Sequence, residues 1–234
     1  GAGMIILGCQ FISPELASGC IEGTIEPNTS LPRLSVLCEK VHQYGTKICA
    51  QLSCGVGRNA FLERFSKPIS ASCIPSALDP SVMCHEITKE EIGKIMEAFT
   101  KAAHNAALAG FDAIEIHAHA RYLVDQFLSP VWNKRTDEYG GTVKNRTRFA
   151  KEIIEAVKKG CAGNMPVLFR ISMDHRTRDG RGIEDSLEII KELEKEGVDA
   201  FDVDAGSYET IDYIFPTAYL GDACMAYTAR AAKE

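Results

Sequence analysis

The sequence has neither a long apolar run nor a basic cluster. Apolar stretches such as residues 4–7 and 166–169 are far shorter than the roughly 20 residues that a membrane-spanning helix needs. No run of Lys and Arg exceeds two residues, and 26 basic against 32 acidic residues give a net charge of −6. This balance argues against a surface for polyanions, so we expect no nucleic-acid partner and no membrane.

Paired cysteine motifs are missing as well. The nine cysteines are an odd number, scattered without a C-x-x-C pair or a Cys/His cluster at zinc spacing. This pattern is typical of reduced thiols in a reducing cytosol, which predicts a cytoplasmic location and no metal site. With 45% hydrophobic and 25% charged residues, the composition is that of an ordinary globular domain.

The sequence does contain a regular alternation of short apolar runs with longer amphipathic ones. The predicted strands are residues 4–7, 47–52, 113–117, 167–172 and 200–204. The predicted helices are residues 31–44, 89–109, 144–159, 183–196 and those from about 222 onward. Strands that alternate with helices form parallel sheets with helical crossovers, so we predict five βα units in one domain, residues 1–234.

Local signals mark several helix ends. Thr88 and Glu91 have the spacing of a capping box at the start of the second predicted helix. Gly110, Gly160 and Gly197 each follow a periodic segment, where a helix favours a left-handed residue just past its end. We therefore expect all three glycines to terminate helices in that conformation.

Polar residues fall at the carboxyl ends of the predicted strands. Gln51, His117 and Arg170 end the second, third and fourth strands, and Asp202 and Asp204 end the fifth. In a parallel α/β barrel, these ends carry the chemistry. Each residue also has a structural interpretation, and Arg170 in particular can simply pair with one of the two aspartates. Their shared position predicts a polar binding face.

Two segments of the sequence resemble a known enzyme family. Residues 110–130 read GFDAIEIHAHARYLVDQFLSP, and residues 133–149 continue with NKRTDEYGG and NRTRF. With this spacing, the chain closely resembles the old yellow enzyme family of FMN-dependent oxidoreductases. Residues 202–209, DVDAGSYE, together with HAHA before Tyr122, are most similar to clostridial 2-enoate reductases and bile-acid-inducible NADH:flavin oxidoreductases.

The resemblance implies a fold and a set of cofactors. The fold is α/β, an incomplete TIM (β/α)8 barrel with about five of the eight βα units present. Residues 1–234 are then a partial FMN-binding barrel domain, without the family's first and last strands, and on their own they are expected to bind FMN weakly or not at all. NADH is the implied electron donor. An iron–sulfur cluster and FAD belong to larger relatives and are expected outside this chain.

The resemblance also implies which residues hold FMN. Gln51 is expected to hydrogen-bond the pyrimidine edge of the isoalloxazine ring, and Arg170 to place positive charge beside N1 and O2. Gly8 and Cys9, at the tip of the first strand, are expected beside the O4 edge, where small residues let the ring approach.

For the substrate, the resemblance assigns His117 as hydrogen-bond donor to the carbonyl or carboxylate oxygen and Tyr122 as the acid that protonates the α-carbon. Tyr208 matches a substrate-contacting position, with a packed loop aromatic as the alternative. Arg121 stands where relatives usually have Gly; it either binds an acidic substrate or points to solvent. Position 120, often His or Asn, is Ala, and His119 is expected on the opposite face as a structural residue.

These assignments predict an FMN-dependent oxidoreductase that reduces the activated C=C bond of an α,β-unsaturated carboxylate or enone, of the 2-enoate or steroid type, by hydride transfer from flavin N5. The partner is a small-molecule substrate, and a homo-oligomer is compatible with the sequence. Two alternatives remain open: an amine dehydrogenase on the same fold, and a catalytically inert truncated barrel.

Overall fold

The five predicted strands form one parallel sheet. The computed structural model describes residues 1–16, 23–26, 30–62 and 67–233. The five strands lie side by side in chain order, so strands that follow one another in the main alternation are neighbours in space. These strands are β1 (Met4–Phe11), β2 (Lys47–Ser53), β5 (Ala113–Ala118), β6 (Val167–Asp174) and β7 (Ala200–Ala205). A separate two-stranded ribbon joins β3 (Ile69–Ser70) to β4 (His85–Glu86).

The helices lie between the strands as the alternation predicts. They are α1 (Leu31–His42), α2 (Lys89–Ala109), α3 (Leu123–Leu128), α4 (Val143–Arg146), α5 (Arg148–Gly160), α6 (Ile183–Glu194), α7 (Ile211–Ile214) and α8 (Ala226–Lys233). The single helix predicted over 144–159 is two helices, with Thr147 ending α4 and starting α5. The short helices α3 and α7 were not predicted, because each follows a turn at the end of a strand and is too short for a periodic pattern. Within the described ranges, no helix is long and apolar enough to cross a membrane.

Side-chain alternation along the strands separates two environments. On β2, Ile48, Ala50 and Leu52 pack into the large core shared with the helices. Cys49 points to the other face, where it forms a small apolar cluster with Ala113 and Leu168. Gln51 follows Cys49 on that same face. The face of the sheet that carries Cys49 is therefore apolar near the amino ends of the strands. Polar residues lie on the same face toward the carboxyl ends of the strands.

The sheet is open, and it forms an incomplete barrel, as predicted. β1 and β7 each pair with a single neighbour among the described residues, so both are edges. Along β1, Met4, Ile5 and Ile6 are exposed. Unpaired apolar edges of this kind are surfaces on which further strands pair.

The capping box and two of the three predicted glycine terminators are correct, and the third glycine is wrong. Thr88 and Glu91 form the capping box, and Gly110 and Gly197 take left-handed conformations, with φ of 91° and 80°. Gly160 instead is the last residue of α5 and does not have positive φ. It is required for a different reason: a Cβ at this position would collide with the backbone oxygen of Thr100 in α2.

Candidate active site

The polar strand ends converge on one face of the sheet. In the strand register Gln51 lies beside Glu115, and His117 lies beside Arg170, which in turn pairs with Asp202. The structure therefore brings together the side chains at the carboxyl ends of β2, β5, β6 and β7. We call this polar end of the sheet face the mouth.

Gln51 and Glu115 form a buried polar pair in this mouth. The amide nitrogen of Gln51 donates a 2.5 Å hydrogen bond to Glu115 Oε2. Glu115 is fully buried, and this burial raises the pKa of its carboxyl group. Its second oxygen, Oε1, has no hydrogen-bond partner in the described part of the chain. Sequence reasoning missed Glu115, although its position two residues before His117 places it on the same face of β5.

Arg170 is held by an aspartate, which is the structural pairing that the sequence left open. Its guanidinium donates to Asp204 Oδ2 at 3.0 and 3.2 Å and lies 3.6 Å from Asp202. Asp204 also contacts His119 Nδ1 at 2.7 Å and accepts from Ser172. Burial alone would raise the pKa of Asp204, but His119 and Arg170 outweigh it and lower that pKa. Asp204 thus stays ionised and fixes Arg170.

His117 is buried and electrically neutral. Burial lowers its pKa well below the ordinary value, and the neighbouring His119 and Arg170 lower it further. Its ring stacks on Tyr122 with centroids 4.7 Å apart. Its Nδ1 is buried with no hydrogen-bond partner among the described atoms. A neutral imidazole with an unused nitrogen is suited to hydrogen-bond a polar substrate atom.

His119 corrects a sequence-based expectation. It was expected on the opposite face, yet its ring packs edge-on against His117 at 4.6 Å. The reason is geometric: residues two apart on a strand share a face, and β5 continues to Ala118 before the chain turns. His119 therefore belongs to the site, where it contacts Asp204.

A tight turn after β5 presents Tyr122. Ala120 and Arg121 both have left-handed backbones, with φ of 55° and 64°, and the Tyr122 N–H donates to His119 O. Such conformations are costly for residues with side chains and persist only where the surroundings hold them. Here Asp125 accepts the Arg121 N–H at 2.8 Å. The turn leaves the Tyr122 hydroxyl 2.9 Å from the hydroxyl of Tyr208.

Arg121 does not point to solvent, so that alternative is wrong. Its guanidinium lies 4.2 Å from the ring centre of Trp132 and forms an ion pair with Glu209. The side chain is 6% exposed, and burial lowers its pKa to about 10. The left-handed turn directs it across the loop after β7 instead of outward.

A buried ionic network supports this turn from below. Asp125 Oδ1 accepts from Arg181 at 2.6 Å, and both its oxygens lie within 3.2 Å of His175 Nε2. The Arg181 backbone N–H donates to His175 Nδ1, so Nε2 carries the proton that reaches Asp125. The side chains of Asp125, His175 and Arg181 are fully buried. No sequence spacing indicated this network, because its members come from α3 and from the loop after β6.

Gly8 and Cys9 lie at an irregularity of β1. The register with β2 shifts between Leu7 and Gln10, which leaves these two residues outside the regular ladder. A Cβ added at Gly8 would meet no atom within 4 Å, so open space faces this backbone. Cys9 is half-buried.

The mouth fits a planar, hydrogen-bonding ring such as that of FMN. Two buried polar atoms, Glu115 Oε1 and His117 Nδ1, have no partner in the described structure. The side chain of Arg170 is about one-third exposed at the same face, and open space lies over Gly8. Unsatisfied donors and acceptors beside open space are the features expected where a polar ligand completes the hydrogen bonding.

Comparison with known proteins gives a consistent result. The family model described as NADH:flavin oxidoreductase / NADH oxidase matches residues 1–229. The cinnamate reductase of Clostridium sporogenes is 36% identical over 239 residues, which covers 94% of this chain and 36% of that protein. Two solved structures at 26% identity also match. A 2-naphthoyl-CoA reductase has a TM-score of 0.81 over 90% of this chain, and histamine dehydrogenase from Rhizobium sp. 4-9 has 0.80 over 89%.

The chain spans about a third of the length of these three relatives, between 31% and 36%. The match to each relative is therefore confined to one part of that protein.

Proposed function

Because the chain belongs to the NADH:flavin oxidoreductase / NADH oxidase family, we propose that it forms the active-site portion of an FMN-dependent ene-reductase. The reaction is reduction of the activated C=C bond of an α,β-unsaturated carboxylate or enone, with NADH as electron donor. The observation that supports this best is the neutral His117 stacked on Tyr122, because the pair offers a hydrogen-bond donor and a phenolic acid side by side.

Four residues would hold the cofactor. Gln51 and Arg170 would bind its pyrimidine edge, and Gly8 and Cys9 would leave room for the ring. When bound, FMN supplies a hydride to the β-carbon of the substrate. Arg170, kept in place by Asp204, would place positive charge beside the edge of the ring, where it would stabilise the negative charge of a reduced flavin.

His117 orients and polarises the acceptor. His117 donates a hydrogen bond to the carbonyl or carboxylate oxygen of the substrate. This hydrogen bond withdraws electron density from the C=C bond and stabilises the enolate charge that develops. The imidazole is neutral because burial disfavours the charged form, so it stays a hydrogen-bond donor and does not lose a proton to the oxygen.

Tyr122 supplies the proton to the α-carbon. The phenol group is a weak acid that can donate its proton to a carbanion-like carbon. The hydroxyl of Tyr208 lies 2.9 Å away and belongs to an exposed side chain. Proton exchange between these hydroxyls connects Tyr122 with solvent, so the acid can be restored after each turnover.

The same fold also supports amine oxidation, as the similarity to histamine dehydrogenase illustrates. Two arginines, Arg58 and Arg121, flank the loop that carries Tyr208, and both are partly or fully buried. Two guanidinium groups near the site disfavour a cationic amine and favour an anionic or neutral substrate.

A substrate panel tests the proposed function. In the complete flavin-loaded protein we expect NADH oxidation, measured without oxygen, to depend on cinnamate and on a neutral enone such as cyclohexenone. We expect no reduction of the protein by histamine or trimethylamine. Reduction by an amine, with no turnover of either acceptor, would establish the amine dehydrogenase instead. Inactivity towards both classes would favour the inert barrel.

A further inference from the structure

Two arginines from distant parts of the chain meet at a single carboxylate. Arg58 lies in the short turn after β2, and Arg121 in the left-handed turn after β5. Both contact Glu209 Oε1, which the loop after β7 supplies; Arg58 Nη1 lies 3.5 Å from it, and Arg121 forms the closer ion pair. Three separate strand ends therefore build this cluster.

The positive charge of the cluster exceeds the negative charge that faces it. The arginine side chains are only 14% and 6% exposed, whereas that of Glu209 is 44% exposed. Asp125, a second carboxylate whose charge acts on Arg121, is already bound by Arg181. Three guanidinium groups thus share two carboxylates. Arg121 Nε, in addition, is buried without a hydrogen-bond partner in the described part of the chain.

The remaining contacts of the arginines hold them in place without neutralising them. Arg58 Nε donates to Pro75 O, and Arg121 Nη2 donates to the hydroxyl of Thr177. The Arg121 guanidinium also stacks on Trp132. Neutral partners fix the geometry of a cation while leaving its charge available for an anion.

The cluster adjoins the residues proposed for chemistry. Glu209 directly follows Tyr208, whose hydroxyl contacts that of Tyr122. Arg121 directly precedes Tyr122. The cluster of Arg58, Arg121 and Glu209 is therefore joined through the backbone to both members of the Tyr122–Tyr208 pair.

We propose that Arg58 and Arg121 form a subsite for the carboxylate of an unsaturated acid, and that Glu209 occupies this subsite in the free protein. The proposal rests on the proposed function for the identity of the reacting bond, but the subsite itself is defined by the arginines. An acid substrate displaces the half-exposed Glu209 side chain and takes over its contacts. The subsite makes free acids better ligands than their neutral esters.

Paired ligands and matched variants test the subsite. Binding of cinnamate and of methyl cinnamate to the complete flavin-loaded protein is measured by calorimetry, and KM is measured for both. Glu209→Gln removes the competing carboxylate, and we expect about fivefold tighter binding of cinnamate and unchanged binding of the ester, because only the acid competes with Glu209 for the charge-assisted contacts of the arginines. Arg58→Gln is expected to weaken cinnamate binding about tenfold, which corresponds to about 1.4 kcal/mol.

Glu138→Gln is the matched control, because Glu138 forms an exposed ion pair with Lys89 at the start of α2. It should change neither ligand's affinity. Weaker or unchanged cinnamate binding in Glu209→Gln would overturn the proposal and show that Glu209 only stabilises the loop after β7. Equal loss of acid and ester binding in Arg58→Gln would overturn it as well. Turnover of cyclohexenone without a preference for acids refutes the subsite alone, whereas absence of all ene-reduction with intact cinnamate binding refutes the proposed function alone.

Discussion

Tyr122→Phe is expected to lower the turnover of cinnamate by about 100- to 10,000-fold, the usual contribution of a positioned general acid. The substitution removes one hydroxyl and keeps the ring that stacks on His117 at 4.7 Å. FMN binding and the affinity for cinnamate should therefore stay close to those of the unchanged protein. Turnover is measured under saturating NADH and substrate, and the flavin content is measured by absorbance.

Two further tyrosines serve as controls for this prediction. Tyr208→Phe removes the hydroxyl that contacts Tyr122, so it should slow turnover to a smaller extent. Tyr219 is 98% exposed, and Tyr219→Phe should have no effect. Full turnover in Tyr122→Phe protein that retains its FMN would show that the α-carbon receives its proton from another group.

Asp125→Asn is expected to destabilise the protein by about 3–5 kcal/mol, because it leaves a buried charge without its counterion. Asp125 accepts hydrogen bonds from both Arg181 and His175, and the side chains of all three are fully buried. An asparagine keeps the shape but removes the charge that compensates Arg181. The free energy of unfolding, measured by urea denaturation, gives the size of the effect.

The pH dependence of stability provides a second readout of this network. Burial opposes ionisation of Asp125, but His175 and Arg181 outweigh it and hold its pKa far below the ordinary value. A carboxyl whose pKa is lowered on folding contributes stability that is complete above its unfolded pKa of about 4 and is lost as the pH falls further. This acid-dependent component should disappear in Asp125→Asn. Asp79→Asn, in an exposed turn, should leave stability almost unchanged. A loss below about 1 kcal/mol in Asp125→Asn would contradict the account.

Features that depend on local sequence could be predicted. Apolar periodicity located the five strands and the main helices, because burial of one face and the length of a run are local properties. The position of Gln51, His117 and Arg170 at strand ends followed from the same pattern. Parallel strands then bring those ends together whatever the detailed packing is, so the mouth was predictable before its contacts were known.

Features that depend on distant neighbours could not be predicted. Gly160 was read as a helix terminator, although its role is to let α5 approach Thr100 of α2. The burial of Arg121 depends on Trp132 and Glu209, which lie 11 and 88 positions further along the chain. Two consecutive residues with left-handed backbones, Ala120 and Arg121, are unusual without glycine. The residue types at these positions therefore do not predict this turn.

The same limit applies to the charged groups. Arg170 was given two possible partners, and only the folded sheet shows that Asp204 receives its hydrogen bonds while Asp202 lies farther away. Glu115 and the Asp125–His175–Arg181 network went unnoticed because buried ionisable groups are recognised by what surrounds them.

The most direct test of the account is a single turnover without oxygen. The complete protein, loaded with FMN and reduced with one equivalent of NADH, is mixed rapidly with cinnamate, and the flavin absorbance and the organic product are followed together. We predict reoxidation that depends on cinnamate concentration and yields one equivalent of the saturated acid, with the step strongly slowed in Tyr122→Phe. Reduced protein that persists in the presence of cinnamate and of a neutral enone would contradict the assignment of His117 and Tyr122 to C=C reduction.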